Sequence, residues 1–327
     1  MRRRDFVRAA LAGTAGLAFG DPRAAAATPP RAGAPAPAFT MKFAPHLGQF
    51  AASAGDDPVA ELRFMHEAGF RAVEDNLMRQ RPAEMQEQIG REVKRLGMEF
   101  GLVSAMRRPN TPPGYKRPQI GSSKPADRTE FVRDVSDTVA VARRVGARHM
   151  VVTPGQLDPG VEFEYQMAAA VDTLRAAARA LEPHGMVMVL EALNPWANHA
   201  GTFLWKASQV YALCRAVDSP ALKFLFDLYH LQIAEGNLIA NVDRCWDEIG
   251  YFQCGDVPGR KEPGTGEINY ANVFAHIHRK GWTGFVGTEH EHAQEGAAGD
   301  RAVIAAYRRV DPKPANGAPG ARGGAGA

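Results

Sequence analysis

Cysteine is scarce in this sequence: the 327 residues include three, Cys214, Cys245 and Cys254. An odd number without paired spacing does not make a disulfide framework, so the fold must depend on an apolar core. The composition can supply that core, because 45% of the residues are hydrophobic and 23% are charged, as in ordinary soluble globular proteins. The length and composition fit one large α/β domain.

An excess of charge of one sign is missing after the first 27 residues. Those residues hold five arginines against Asp5 and Asp21, which accounts for the whole formal net charge of +3. Residues 28–327 carry 34 basic and 34 acidic side chains. A balanced chain gives no electrostatic reason to expect a nucleic acid or an anionic membrane as a partner.

An apolar run long enough to cross a membrane is also missing near the N-terminus, where Ala9–Phe19 is too short to span a bilayer. This run follows three arginines and precedes the small residues 24–27, which is the order of an export signal. The segment RRRDFVRAAL is typical of a bacterial twin-arginine signal, which directs the export of folded proteins. We therefore predict a signal peptide over residues 1–27 and a periplasmic location; a disordered basic leader is the alternative.

Two further segments are too poor in apolar side chains to join a core. Residues 28–38, TPPRAGAPAPA, are typical of a Pro/Ala linker, and residues 311–327, DPKPANGAPGARGGAGA, of a disordered tail. The sequence therefore predicts one folded domain over residues 39–310.

Inside that domain, eight short apolar runs alternate with stretches of helical periodicity, the clearest of them between Phe163 and Leu181. Strict alternation predicts a parallel sheet, and eight strands predict a closed (β/α)8 TIM barrel. A doubly wound open sheet is the rival fold, but HLGQFAASAGDD after the first strand lacks the G-x-G-x-x-G spacing of a phosphate-binding turn. The predicted strands are residues 42–47, 72–75, 99–104, 149–153, 187–191, 223–227, 251–254 and 284–288.

Four of these runs end on or beside a side chain with an oxygen ligand: Glu191, Asp227, Gln253 and Glu289. In a parallel barrel the carboxyl ends of all strands open on one face, so these side chains are predicted to converge there. Three carboxylates at one point repel each other unless a divalent cation binds between them. Oxygen ligands favour a hard cation, Mg²⁺ or Mn²⁺, over structural zinc.

Several motifs carry a specific resemblance: KFAPHLGQF, AVEDN, VLEALNP, FDLYHLQIAEGNL, VPGRKEPGTGEINY and GFVGTEH. Over nearly the whole folded region the chain resembles the xylose isomerase-like TIM barrels and, within them, the hydroxypyruvate isomerase family of sugar isomerases and epimerases. The resemblance implies that the four oxygen ligands hold a metal and that Glu191 and Glu289 also form the proton-transfer pair. It further implies that the imidazole of His230 hydrogen-bonds a substrate oxygen, although a supporting role in the loop is the alternative.

Arg260 lies just beyond the seventh strand and is placed to hold a carboxylate or hydroxyl group of a substrate. Its alternative is a surface position in which it pairs with Glu262 or Glu267.

The leading hypothesis is a metal-dependent isomerase that interconverts an α-hydroxy aldehyde and ketone by proton transfer through a metal-bound enediolate. An epimerase or lyase acting on a keto-sugar or keto-glycoside begins with the same proton abstraction and is the near rival. An exported sugar-binding barrel without catalysis is a second alternative. A phosphodiesterase of the endonuclease IV type is disfavoured, because that chemistry needs several zinc ions, many histidines and a basic groove. The partner is thus a small hydroxy-carbonyl or sugar molecule, and the sequence leaves a homo-oligomer open.

Overall fold

The computed structural model describes residues 36–106 and 119–313. The predicted signal peptide, most of the predicted linker and nearly all of the predicted tail lie outside the described residues, so those assignments stay predictions. Each predicted strand is present within two residues of its predicted bounds. The strands are β1 Lys42–Pro45, β2 Ala72–Asp75, β3 Glu99–Ser104, β4 His149–Val152, β5 Val187–Glu191, β6 Leu222–Asp227, β7 Ile249–Gln253 and β8 Phe285–Thr288.

Helices connect the strands and surround the sheet. They are α1 Ala51–Ala54, α2 Pro58–Glu67, α3 Ala83–Arg95, α4 Pro125–Val145, α5 Phe163–Leu181, α6 Ala207–Val217, α7 Leu228–Ala234, α8 Leu238–Cys245, α9 Tyr270–Arg279 and α10 Gly296–Val310, with short 3-10 turns at Met78–Gln80, Glu182–His184 and Trp246–Glu248. Among the described residues, no helix combines the length and the apolar character that crossing a membrane requires.

All neighbouring strands in the sheet are parallel, in the order β1-β8-β7-β6-β5-β4-β3-β2. The two end strands of this order meet where a bridge joins His46 to Glu74 and the backbone N–H of Leu47 donates to the carbonyl of Glu74 at 3.1 Å. This contact closes the sheet, so the predicted single-domain (β/α)8 barrel is confirmed.

The barrel interior explains why polar side chains gather at one end. Successive side chains on a strand face opposite sides, so every second residue points into the barrel. A buried apolar layer fills the interior and consists of Ala44, Ala72, Leu102, Val151, Val189, Leu225, Tyr251 and Phe285. Glu74, Glu191, Asp227 and Gln253 each stand two residues beyond a member of that layer, and they therefore form the next layer, at the carboxyl ends of the strands.

The three cysteines are free and buried. Cys254 follows the ligand candidate Gln253 and faces the opposite side of the strand, where its sulfur lies 3.3 Å from the hydroxyl of Tyr307 on α10. Cys254 therefore packs between sheet and helix, as the alternation of side chains along a strand predicts.

Candidate metal centre and active site

The ends of β5 and β6 bring together two carboxylates and one imidazole. Ligand atoms of Glu191, Asp227 and His230 all lie within 4.8 Å of one another, and all three residues are buried. Nε2 of His230 is 3.5 Å from Oε1 of Glu191 and 3.6 Å from Oδ2 of Asp227. The sequence predicted the two carboxylates as metal ligands and the histidine as a substrate contact.

The hydrogen bonds of His230 determine what its ring can do. Helix α7 begins directly after Asp227, whose Oδ1 caps it by accepting the backbone N–H of Tyr229 at 2.8 Å, so His230 lies in the first turn. Nδ1 of His230 accepts the backbone N–H of Asn194 at 3.2 Å. A backbone nitrogen can only donate, so the ring proton of the neutral imidazole sits on Nε2. Burial lowers the pKa of His230 well below its usual value, which keeps the ring neutral. Nε2 is therefore a hydrogen-bond donor aimed at the site, whereas a metal ligand would need a lone pair there.

Burial also acts on Asp227. It raises the pKa of this carboxyl to about 6, in spite of the opposing effect of the Arg260 guanidinium, and the nearby Glu289 acts in the same direction as burial. A buried carboxylate beside other carboxylates is costly to ionise, and a divalent cation would offset that cost.

Gln253 adds a neutral oxygen to this group. It is fully buried at the end of β7, in register with Asp227 on β6. Its Nε2 donates to Oε1 of Glu74 at 3.1 Å, while its Oε1 has no hydrogen-bond partner among the described residues. A buried amide oxygen without a partner is unfavourable unless something else binds it. Carboxylate and amide oxygens are the ligands that Mg²⁺ and Mn²⁺ prefer, so Glu191, Asp227 and Gln253 fit a hard divalent cation.

Glu289, the fourth predicted ligand, lies outside the cluster of Glu191, Asp227 and His230. It follows β8, and 24% of its side chain is exposed. Its Oε1 accepts a hydrogen bond from Nδ2 of Asn76 at 3.0 Å, and its Oε2 accepts one from Nη2 of Arg260 at 3.0 Å. The carboxylate is thus held from two sides at the mouth of the site, where a bound substrate would meet it.

Arg260 connects the carboxylates of two strands. The same Nη2 that contacts Glu289 lies 3.2 Å from Oδ2 of Asp227, and the guanidinium stacks 4.8 Å above the ring of Tyr229. These partners differ from the two loop glutamates that the surface alternative involved. Burial alone would lower the pKa of Arg260, but Glu289, Asp227 and Glu191 raise it, so the side chain stays cationic. The structure therefore places Arg260 inside the candidate site.

The loop that presents Arg260 depends on one buried carboxylate, Asp256, which is not among the site residues predicted from the sequence. Its oxygens accept four backbone N–H groups, from Val257 at 2.9 Å, Gly264 at 2.8 Å, Gly266 at 2.9 Å and Ile268 at 3.1 Å. An aspartate that opens a Pro/Gly-rich segment commonly bonds the backbone beyond it, and DVPG carries that signal.

Asn76 was missed as well. It lies two residues beyond Glu74 at the end of β2, and its own Oδ1 is buried without a hydrogen-bond partner among the described residues. The polar run that ends AVEDN was its sequence signal.

Comparisons with known proteins concern the family and the fold of the chain. The profile of the family described as Xylose isomerase-like TIM barrel matches residues 62–309. The chain is 30% identical over 227 residues to a 2-oxo-tetronate isomerase of Pectobacterium atrosepticum, which covers 68% of this chain and 82% of that protein. It is 29% identical over 239 residues to a putative hydroxypyruvate isomerase of Homo sapiens, which covers 71% of this chain and 83% of the human one. The crystal structure of an AP endonuclease, family 2, from Brucella melitensis superposes with a TM-score of 0.67 at 26% identity and covers 79% of this chain and 96% of that one.

Proposed function

Because the chain belongs to the xylose isomerase-like TIM barrel family, we propose that it is a metal-dependent isomerase that interconverts an α-hydroxy aldehyde and the corresponding ketone. The observation that carries the proposal is the buried cluster of Glu191, Asp227 and His230, with Gln253 in register with Asp227 on the neighbouring strand and its amide oxygen without a hydrogen-bond partner among the described residues. Relatives at about 30% identity are named for isomerisation of small hydroxy-carbonyl acids, and we propose a substrate of that class here.

Glu191, Asp227 and Gln253 would hold Mg²⁺ or Mn²⁺. When bound, such a cation polarises a substrate carbonyl and makes the neighbouring C–H group more acidic. Proton transfer and hydrogen bonding to the substrate are carried out by side chains of the protein.

Glu289 is suited to take up the substrate proton, since it stands outside the buried cluster and is held by Asn76 and Arg260. A carboxylate that does not bind the cation directly keeps more of its basicity. Glu191 is the proposed partner: protonated from water before each turnover, it returns a proton to the neighbouring carbon. The substrate hydroxyl proton passes to the former carbonyl oxygen, and Glu289 then releases the proton that it took to water. The Nε2–H of His230 donates to a substrate oxygen, and Arg260 offers further donors to negative charge that develops there.

The proposal is tested by exchange with solvent. The purified protein, loaded with Mn²⁺, is incubated in D₂O with hydroxypyruvate and with 2-oxo-tetronate, and deuterium in substrate and product is followed by NMR. An isomerase introduces deuterium and moves the carbonyl group to the neighbouring carbon. Deuterium uptake with an unchanged carbonyl position would indicate an epimerase instead. Binding without exchange would indicate the sugar-binding alternative, and cleavage of DNA with an abasic site would indicate an endonuclease.

We further propose that the protein is exported to the periplasm in folded form. The support is the order of arginines, apolar run and small residues in the first 27 positions. Replacing both Arg3 and Arg4 with lysine should retain the protein in the cytoplasm, which cell fractionation of a tagged protein measures. Unchanged distribution of the variant would contradict this proposal.

A further inference from the structure

We propose that Glu74 is a positioning residue that turns the amide of Gln253 so that its oxygen, and not its nitrogen, faces the cation. The inference rests on the proposed function. It adds Glu74, at the end of β2, to the residues on which the metal centre depends. Glu74 does not itself bind the cation and acts through Gln253.

The contacts of Glu74 are those of a fully buried acceptor. Its Oε2 accepts a hydrogen bond from the hydroxyl of Tyr251 at 2.6 Å, and its Oε1 accepts one from Nε2 of Gln253 at 3.1 Å. Nε2 of His46 lies 2.8 Å from the same Oε1 in an ion pair. The carboxylate thus contacts three side chains, one that follows β1 and two on β7.

The direction of the Glu74–Gln253 hydrogen bond fixes the amide. An ionised carboxylate can only accept, whereas an amide has one accepting end and one donating end. If the amide were reversed, its oxygen would face the carboxylate of Glu74 and its NH₂ group would face the cation. Both contacts would be repulsive, so the carboxylate selects the orientation that leaves Oε1 free toward the site.

A glycine on β8 makes room for this arrangement. Gly287 is the backbone partner of Gln253 in the sheet. A Cβ atom built on Gly287 would lie 2.3, 2.4 and 2.6 Å from the carboxylate atoms of Glu74. No side chain larger than hydrogen fits there while Glu74 reaches from β2 to β7, so the close approach of the Glu74 carboxylate to the backbone of β8 depends on this glycine.

A double-mutant cycle tests the inference. The dissociation constant for Mn²⁺ is measured by calorimetry on the full chain, with Glu74→Gln made both in the native background and in the Gln253→Glu background. In the native background the substitution should weaken Mn²⁺ binding about 10- to 100-fold, the usual effect of losing a residue that orients a ligand. A carboxylate at position 253 has two equivalent oxygens, so no neighbour has to select its orientation. In the Gln253→Glu background, Glu74→Gln should therefore not weaken Mn²⁺ binding.

Controls separate this role from general stability. Glu61 is another buried glutamate, which accepts the backbone N–H groups of Gly48 and Phe50, and Glu61→Gln should leave the Mn²⁺ affinity unchanged. Thermal unfolding of each variant shows whether it is folded. Should Glu74→Gln not fold, Glu74→Asp withdraws the acceptor by one methylene group and serves in the same cycle.

The outcomes distinguish the two proposals. If Asp227→Asn binds Mn²⁺ as tightly as the native protein does, the metal centre itself is wrong, and both proposals fall. If Asp227→Asn loses Mn²⁺ but Glu74→Gln binds it normally, the metal centre stands and the positioning role is overturned. Equal weakening by Glu74→Gln in both backgrounds would also overturn it, because a merely structural residue would act in that way.

Discussion

Arg260 holds Glu289 by two groups: its Nη2 lies 3.0 Å from the carboxylate oxygen Oε2, and its Nε donates at 3.0 Å to the backbone carbonyl of the same residue. The loop after β7 is therefore tied to the end of β8. The same Nη2 also reaches Asp227. The proposed base Glu289 and the proposed metal ligand Asp227 therefore contact the same guanidinium group.

This arrangement predicts that Arg260→Gln changes binding and turnover in opposite directions. Removing a positive charge beside Asp227 should tighten Mn²⁺ binding by about tenfold, because the guanidinium of Arg260 would no longer repel the metal ion. Turnover should fall about 100-fold, since a donor to the developing negative charge is lost. Calorimetry with Mn²⁺ and steady-state kinetics measure the two effects. Lys261→Gln is the matched control, because this neighbouring cation pairs with the exposed Glu291. A loss of both affinity and turnover in Arg260→Gln would instead indicate that Arg260 only supports the loop.

Glu289 and Asp227 should respond differently to loss of charge. Glu289→Gln should retain bound metal and lose turnover by a factor of about 10² to 10⁴, the range for removal of a general base. Asp227→Asn should lose the metal itself. Metal content by mass spectrometry and turnover on one preparation of each variant distinguish them. Metal loss in Glu289→Gln would instead favour the prediction from the sequence that Glu289 is a fourth metal ligand.

Asp256→Asn should destabilise the loop that presents Arg260. The carboxylate accepts four backbone N–H groups, whereas an asparagine offers one accepting oxygen and turns its NH₂ group toward other donors. We expect the free energy of unfolding to fall by about 1–3 kcal/mol, the cost of leaving buried donors unpaired, and KM to rise. Urea denaturation and kinetics measure the two. Asp158→Asn, in which an exposed aspartate accepts the N–H of Gly160, should change neither.

The ion pair of His46 with Glu74 should make stability depend on pH in the alkaline range. Burial alone would lower the pKa of His46, but Glu74, with smaller contributions from Glu289 and Asp75, raises it from 6.5 to about 9. The pair therefore stabilises the fold fully below pH 6.5, and its contribution is lost as the pH rises through about 9. The difference in melting temperature between the native protein and His46→Gln should be largest near neutral pH and shrink by pH 10, as differential scanning calorimetry at several pH values measures. A difference that stays constant across this range would contradict the assignment.

The sequence by itself determined where the strands lie and that the polar side chains gather at their carboxyl ends. Short apolar runs and helical stretches are local patterns, so β5 and helix α5 agree with their predicted bounds. The helical periodicity does not determine which side chains of α5 are covered: Phe163, Met167 and Val171 are only partly buried, while Ala170 and Ala177 are fully buried. Which face of a helix is covered depends on the neighbouring helices, and the periodicity of one segment does not specify them.

Only the tertiary structure decided how the site residues pair. The sequence placed Glu191, Asp227, Gln253 and Glu289 at one end of the barrel but did not reveal that Glu289 binds Arg260 and Asn76, or that Glu74 turns toward Gln253 across 179 positions. Those pairings follow from closure of the sheet and from the backbone space at Gly287. Local propensity fixes where a strand ends, whereas distances between side chains on different strands depend on the curvature of the whole barrel, and that is a property of all eight strands together.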